Sequence, residues 1–449
     1  MNLLTIAWKS LRQRALASSL TALSIALGIM LMVAVLVING LVTNAFRQSG
    51  TGFGLVIGGR GSGDLNLVLN AVYRIGSPGE PLPWRFYRDD ISQNPLVESA
   101  VPMAMGDLTN KGQFPIVATT PEYFGLGYAP GKNFTLRKGG RLLGKYFSAV
   151  IGSRVAQENG WDVGSTFKLI HGGMDDHVHD EKFEVVGVLG RTGTPNDKTV
   201  FVDMEAFFML AGHEKPVDEA IDRLRDFGYE VTSEQEAEIR KAAAELNHEG
   251  EAHVVAGDDP HYHAVPDDLK EVSFILVNTK DIMGMPFLAG QINEGVRAQA
   301  VNPIPVMDRL LRDLVGNVKT LLLCLTGLIV VVAGVGIFVS IYNSMSDRRK
   351  EIAIMRALGA HRGTVFSIIL SESLLLCLGG GLCGVLLGHG LVVAAAPFVE
   401  AEAGLILNAW HFEPLELILF PVLIVMATLV GFLPGMTAYR TDVADSLTD

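Results

Sequence analysis

Histidine and acidic side chains crowd one part of this chain. Eight of its eleven histidines lie between His171 and His263. The run HGGMDDHVHDE, His171 to Glu181, packs three histidines and four acids together, and HYH at 261–263 follows Asp258 and Asp259. Imidazole nitrogens and carboxylate oxygens are ligands for Zn²⁺ and related cations. His171, Asp175, His177, His179, His261 and His263 are therefore candidate ligands. Both runs are also polar enough to be solvated loops, and neither shows the HExxH spacing that sets two histidines and a general base on one helix face. A hydrolytic centre needs an acid/base group beside an open metal position. No spacing singles one out, so the expectation is labile zinc contact or plain solvated histidine, not hydrolysis.

Two glycine-rich stretches imitate phosphate loops. GGRLLGK, Gly139 to Lys145, fits GxxxxGK, but Tyr146 stands where a P-loop needs Ser or Thr to hold Mg²⁺. GGRGSG, Gly58 to Gly63, lacks a strand–GxGxxG–helix unit with a later acidic partner. The better expectation there is a glycine hinge feeding an apolar strand or helix at the membrane surface. The chain thus has no nucleotide site of its own and reads as a non-catalytic protein. Cys324, Cys377 and Cys383 all fall in apolar stretches and carry no ligand spacing, so they read as small buried groups and no disulfide is needed.

The elements that must position these residues are of two kinds. The mean hydropathy is +0.32 over 449 residues. That is too apolar for an ordinary soluble protein and too polar for one lying mostly in lipid. About 20 apolar residues are needed to cross a bilayer core, and four segments meet that need: 15–43, 318–345, 364–396 and 415–438. Between the first two lies a water-facing stretch, 44–317, with 38 acids against 26 Lys and Arg, a surplus that accounts for the whole net charge of −12. Such a domain is a poor match for nucleic acid, which needs clustered basic residues. Short β-branched runs divided by Gly and Pro predict strands, while Met204–Leu210 and Asp218–Asn247 predict helices. The domain is α+β, with a variable His- and acid-rich insertion at about 211–268.

Orientation follows from the Lys/Arg bias of short loops. Lys9, Arg12 and Arg14 precede the first span, and Arg348, Arg349, Lys350, Arg356 and Arg362 surround the loop 346–363. Both ends of the chain and that loop are expected in the cytosol. The acidic stretch 44–317 and the short connection 397–414 are expected outside, and 439–449 forms a cytosolic tail. Residues 1–14 are basic and amphipathic, suited to a lead-in helix lying on lipid. The first apolar segment is far longer than a signal-peptide core and reads as a retained helix. Gly380, Gly384 and Gly388 share one helix face, the spacing that lets backbones approach closely in lipid. Glu372 is an intramembrane carboxylate, best explained by pairing with a basic neighbour.

The loop SDRRKEIAIMRALGA (Ser346–Ala360), the helix opening SESLLLCLGGGLCGVLLG (Ser371–Gly388) and the tail FLPGMTAYRTDVADSL (Phe432–Leu447) together resemble the membrane module of FtsX/MacB-type ABC permeases. The tail departs in having Val443 where that family often has Pro. VATTPEYF, GKNF, AVIGSRVA, VGSTFKL and FEVVGVL follow in order between Val117 and Leu189 and resemble the family's MacB-like periplasmic core domain.

The resemblance implies a bacterial inner-membrane subunit whose ATP and Mg²⁺ are bound by a separate P-loop ATPase dimer. It implies that 346–363 is the coupling element. Glu351, Ile352, Met355, Arg356, Ala357, Leu358, Gly359 and Ala360 would be the contact residues, with Ile352, Met355 and Leu358 as the apolar docking side. Four helices are few for a transport path, so the subunit is expected to pair with itself or a relative. A periplasmic adaptor or lipoprotein is a further expected partner. Three functions stay open: export or extraction of an amphipathic cargo, mechanotransmission to a periplasmic partner, and a metal-linked binding module.

Overall fold

The computed structural model describes residues 3–49, 52–129, 131–144, 146–171, 178–210, 213, 215–247, 265–347, 349–403 and 412–440. The chain divides into two compact units. One holds Met1–Thr43, Leu311–Glu402 and Ile406–Asp449; the other holds Asn44–Leu310 with Ala403–Leu405.

Among the described residues four helices are long and apolar enough to cross a membrane, within Ala15–Leu41, Pro303–Asn343, Arg362–Phe398 and Pro414–Thr437. Their mutual packing explains the glycine stripe. A Cβ on Gly380 would lie 2.8 Å from the carbonyl oxygen of Ala22, one on Gly384 2.7 Å from that of Ala26, and one on Gly388 3.0 Å from that of Met30. Each step of four along the third span meets a step of four along the first, so the two backbones run in contact. Ile25, Ile29, Val33 and Val37 of the first helix then share a core with Ile337, Leu376, Cys377, Val385 and Leu423. The third helix outlasts its expected end. It runs Arg362–Ala403 with Pro397 inside it, because neighbouring helices and local adjustment make a proline tolerable in an apolar helix. The lead-in is also helical, Leu3–Gln13. It buries Ala7 and Ser10 and leaves Trp8 61 % exposed.

The second unit is built on strands β1 Leu55–Gly59, β2 Leu82–Pro83, β3 Val97–Thr109, β4 Pro115–Thr119, β5 Ser148–Ile151, β6 Thr166–Phe167, β7 Leu169–His171, β8 Phe183–Val188, β9 Val200–Asp203, β10 Glu271–Val272, β11 Phe274–Thr279 and β12 Ala298–Val301. Ten form one mixed sheet in the order β12-β1-β11-β3-β4-β9-β5-β8-β6, with β7 on β3, while β10 and β2 pair separately. Side chains alternate across a strand, and here both faces are buried. Leu55, Ile57, Ala149, Ile151, Val200, Val202, Ile275 and Val277 enter one core. Val56, Val150, Phe201, Phe274 and Leu276 enter the other. Helices Val217–Asp226, Ser233–Asn247 and Gly284–Glu294 cover the first face, and helices Asp64–Tyr73 and Pro303–Leu310 the second. This sandwiching is why the strands read as continuous apolar runs.

Three local expectations change, those for GGRGSG, for the helix Asp218–Asn247 and for the cysteines, of which Cys377 alone is buried while Cys324 and Cys383 lie exposed on apolar helices. GGRGSG is not a hinge: Gly58 and Gly59 are strand residues pressed against Leu67 and the backbone of Glu80. A helix does follow, but β1 is antiparallel to both neighbours and Asp64 opens that helix, placing a carboxylate where a phosphate would bind. The stretch at Gly139 runs beside β8, with the Arg137 and Arg141 amides donating to Val188 and Val186 at 2.9 Å; Lys145 lies outside the described residues. The expected helix Asp218–Asn247 is two helices. Gly228, at φ +89°, ends the first, and a Thr232–Gln235 capping box starts the second, with each side chain bonded to the other's backbone N–H.

The glycine contact yields a direct test. Gly384→Leu forces a side chain into the backbone of the first helix and should cost about 1–3 kcal/mol or prevent folding. Gly390→Leu, where nothing lies within 4 Å, should leave the thermal unfolding of the detergent-solubilised chain unchanged. Equal behaviour of the two variants would refute this packing.

Candidate functional sites

Four side chains from distant parts of the chain converge in the second unit. Asp107, His171, His179 and His213 each bring one donor atom into a cluster whose atoms all lie within 4.8 Å of one another. The backbone explains how. Pairing between β3 and β4 slips by one residue between Met105 and Leu108. Such a bulge re-aims a side chain, and Asp107 is in it. Beyond the bulge β3 takes β7 as partner, with Asp107 directly opposite His171. The chain then returns along β7: Val178 bridges Ile170, and the His179 amide donates to the Leu169 carbonyl at 3.0 Å. His213 comes from beyond helix Met204–Phe208. Its amide donates to Leu210 at 3.1 Å, and its Nδ1–H donates to the Phe207 carbonyl at 2.9 Å.

The donor atoms crowd Asp107. Oδ1 lies 3.2 Å from His171 Nδ1, while Oδ2 lies 3.2 Å from His213 Nε2 and 3.6 Å from His179 Nε2. The Asp107, His179 and His213 side chains are at most 6 % exposed and His171 is 28 % exposed. The imidazole rings meet edge to face or tilted, with centroids 4.5–5.3 Å apart. Of the six ligands expected from the sequence, His171 and His179 are brought together. Asp175, His177, His261 and His263 lie outside the described residues. Asp107 and His213 were not foreseen, for neither sits in a histidine run. The sequence around Asp107 offers only an acid after the mostly apolar run Val101–Met105, too weak a signal to single it out.

The membrane unit holds a second group of polar residues. Glu372 is buried and lines a cavity of about 350 Å³ together with Ser10, Arg14, Ser18, Ser340 and Asn343. Arg14, a basic residue, lines the same cavity. A hydrogen bond absent from the sequence reading joins His389 Nε2 to Glu416 Oε2 at 3.0 Å. Glu416 Oε1 also accepts from the Glu413 amide at 3.0 Å, so the carboxylate is held by a helix cap as well as by the imidazole.

The expected coupling loop contains a helix, Arg349–Ala357. It stops in a Schellman arrangement: the Gly359 amide donates to Arg356 and the Ala360 amide to Met355, both at 3.0 Å. Gly359 sits at φ +98°, a left-handed position that favours glycine. That role in ending the helix explains Gly359 without any partner. The expected apolar side is also rearranged. Ile352 and Ala353 are buried, and Ile352 and Met355 pack against the spanning core, so Ile352 is not available for docking. Ile354, 51 % exposed, and Leu358, 83 % exposed, face outward four residues apart. Nothing is described of the Glu351 side chain.

A family model described as the FtsX-like permease C-terminal matches residues 323–443, and one described as the MacB-like periplasmic core domain matches residues 18–249. The macrolide export ATP-binding/permease protein MacB of Escherichia coli strain K12 is 35 % identical over 147 residues, covering 31 % of this chain and 22 % of that protein. The protein of the same name from Burkholderia cenocepacia strain HI2424 is 33 % identical over 138 residues, covering 29 % and 19 %. The match to each thus spans about a fifth of the relative's length. The solved periplasmic region of MacB from Actinobacillus actinomycetemcomitans aligns over 60 % of this chain and 97 % of its own, at 12 % identity and a TM-score of 0.31.

The two faces of helix Arg349–Ala357 should respond differently to charge. Ile352→Asp buries a carboxylate in the spanning core and should lower the stability of the purified chain by about 3 kcal/mol. Ile354→Asp and Leu358→Asp should change it by no more than about 0.5 kcal/mol. Thermal unfolding followed by size-exclusion profile checks this; an unaffected Ile352→Asp would reverse the assignment of faces.

Proposed function

Because the chain belongs to the family of FtsX-like permeases that carry a MacB-like periplasmic core domain, we propose that it is the membrane subunit of an ABC transporter served by a separate ATPase. The observation that carries this reading is the outward pair Ile354 and Leu358, on a short helix whose other side is anchored in the spanning core. An exposed apolar pair at i, i+4 is the form in which a helix docks into a groove of a partner. The Lys and Arg around it support a cytosolic position, where ATP is available.

In this reading ATP-driven closure of an ATPase dimer displaces helix Arg349–Ala357. Because that helix is anchored by Ile352 and Met355 and followed after Gly359 by the third span, the displacement passes to the third span. The third span is packed backbone to backbone against the first, which leads in sequence into the outer domain. Rigid-body movement is a common form of such coupling. The cargo is an amphipathic molecule exported or extracted on the outer side, as the macrolide-export function named for the relatives suggests. A dimer of this subunit, or a pair with a related one, completes the assembly on two ATPase chains.

Purification of the tagged chain with its membrane partners tests this. A P-loop ATPase should co-purify at about one copy per chain, since two ATPase domains serve two subunits. The double variant Ile354→Asp, Leu358→Asp should lose most of that ATPase, by roughly tenfold or more for about 1.4 kcal/mol of docking energy, while folding normally. Recovery of the wild-type chain alone, or full ATPase retention by the double variant, would overturn the coupling assignment.

A further inference from the structure

We propose that Asp107, His171, His179 and His213 form a four-coordinate site for Zn²⁺ in the outer domain. A tetrahedral zinc with bonds of about 2.0–2.1 Å separates its ligand atoms by about 3.3 Å. The three imidazole nitrogens lie 3.2, 3.2 and 3.6 Å from Asp107 oxygens. The cluster therefore approaches the dimensions of a zinc site, and its widest separation, within 4.8 Å, closes with small side-chain rotations.

The protonation pattern points the same way. His213 Nδ1 faces a backbone carbonyl, which only accepts, so Nδ1 carries a proton. In the neutral ring Nε2 is then bare, and it lies 3.2 Å from the Asp107 carboxylate. A lone pair facing an anion in a buried site is repulsive. Asp107 Oδ2 is itself buried without an accepted hydrogen bond, a cost of about 1–3 kcal/mol or more for a charged group left so. A single divalent cation relieves this. It takes the lone pairs, neutralises the carboxylate, and leaves the His213 Nδ1–H on a carbonyl, the outer contact that metal-bound histidines commonly make.

The donor set selects the metal class. Three imidazoles and one carboxylate suit Zn²⁺, or Co²⁺ and Ni²⁺ as substitutes. Mg²⁺ and Ca²⁺ require oxygen ligands, and Cu⁺ requires sulfur. Four protein donors fill a tetrahedron, so the site holds its metal without activating water. His171 is the most exposed ligand and borders the route of exchange. Bound zinc ties the bulge of β3, the edge strand β7 and the segment after helix Met204–Phe208 to one point.

The test uses the full chain in detergent, stripped with chelator and then reloaded. Atomic spectrometry after gel filtration should find about one Zn²⁺ per chain, and Co²⁺ should give the strong visible absorption of a tetrahedral centre. Zinc should raise the unfolding temperature. His179→Ala, and His171→Ala at the more exposed edge, should each weaken binding by at least about 10–100-fold and abolish the zinc-dependent shift. Lowering the pH should release the metal, because protons compete for the imidazoles. A wild-type chain that keeps less than about a tenth of an equivalent, or variants that bind as tightly as wild type, would overturn the proposal. None of these readouts involves ATP, so the result is independent of the permease assignment.

Discussion

Close approach of two helix backbones is the constraint on which the membrane unit rests. In lipid, hydrocarbon surrounds a helix whether or not it has a partner, so association depends on dense packing rather than on escape from water. Three glycines, each four residues from the next, bring the third span within van der Waals reach of carbonyls at Ala22, Ala26 and Met30. Larger residues at those positions would hold the helices apart. Once the pair is locked, Ile25, Ile29 and Val33 reach the second and fourth spans, and the buried Glu372 shares its cavity with Arg14. The same contact joins the helix that follows segment 349–360 to the helix that leads in sequence into the second unit. A mechanical reading of this family member therefore depends on it.

The outer domain is constrained differently. Its sheet carries an apolar core on each face, so a buried charged strand residue is expensive. Asp107 is tolerated because a bulge turns it toward three imidazoles. A buried carboxylate in such a domain requires compensation, and the histidines that surround it come from three different stretches of chain.

Much of this was legible in the sequence, for physical reasons that also mark its limits. Four apolar segments and one glycine stripe follow from composition and a four-residue period, both local properties. The two helices between Val217 and Asn247 were visible as one, because a single Gly228 in a helix-rich stretch is ambiguous until its left-handed φ is known. The rotation of helix Arg349–Ala357 was not legible. Ten residues, Arg349 to Leu358, with Ile352, Ile354, Met355 and Leu358 spread around them define no unique apolar side, and anchoring of Ile352 and Met355 against the spanning core left Ile354 facing out. Asp107 and His213 were invisible for another reason: their meeting with His171 and His179 depends on a strand register and a bulge, which are set by contacts far apart in the chain. The histidine-rich runs drew attention to the right region, yet half of the described cluster came from outside them.

The claim at the centre of this account is that ATP use by a partner changes the arrangement of the outer domain through the spanning helices. Pulsed electron-spin distance measurement on the reconstituted complex tests it most directly. With the three native cysteines replaced, one spin label per chain would be placed on the exposed helix Ser233–Asn247 at Glu234, reporting the separation between two outer domains. The account predicts that the distance distribution shifts when the partner ATPase is trapped with an ATP analogue, and that Ile354→Asp with Leu358→Asp abolishes the shift. An identical distribution with and without nucleotide, in a complex that still hydrolyses ATP, would contradict it.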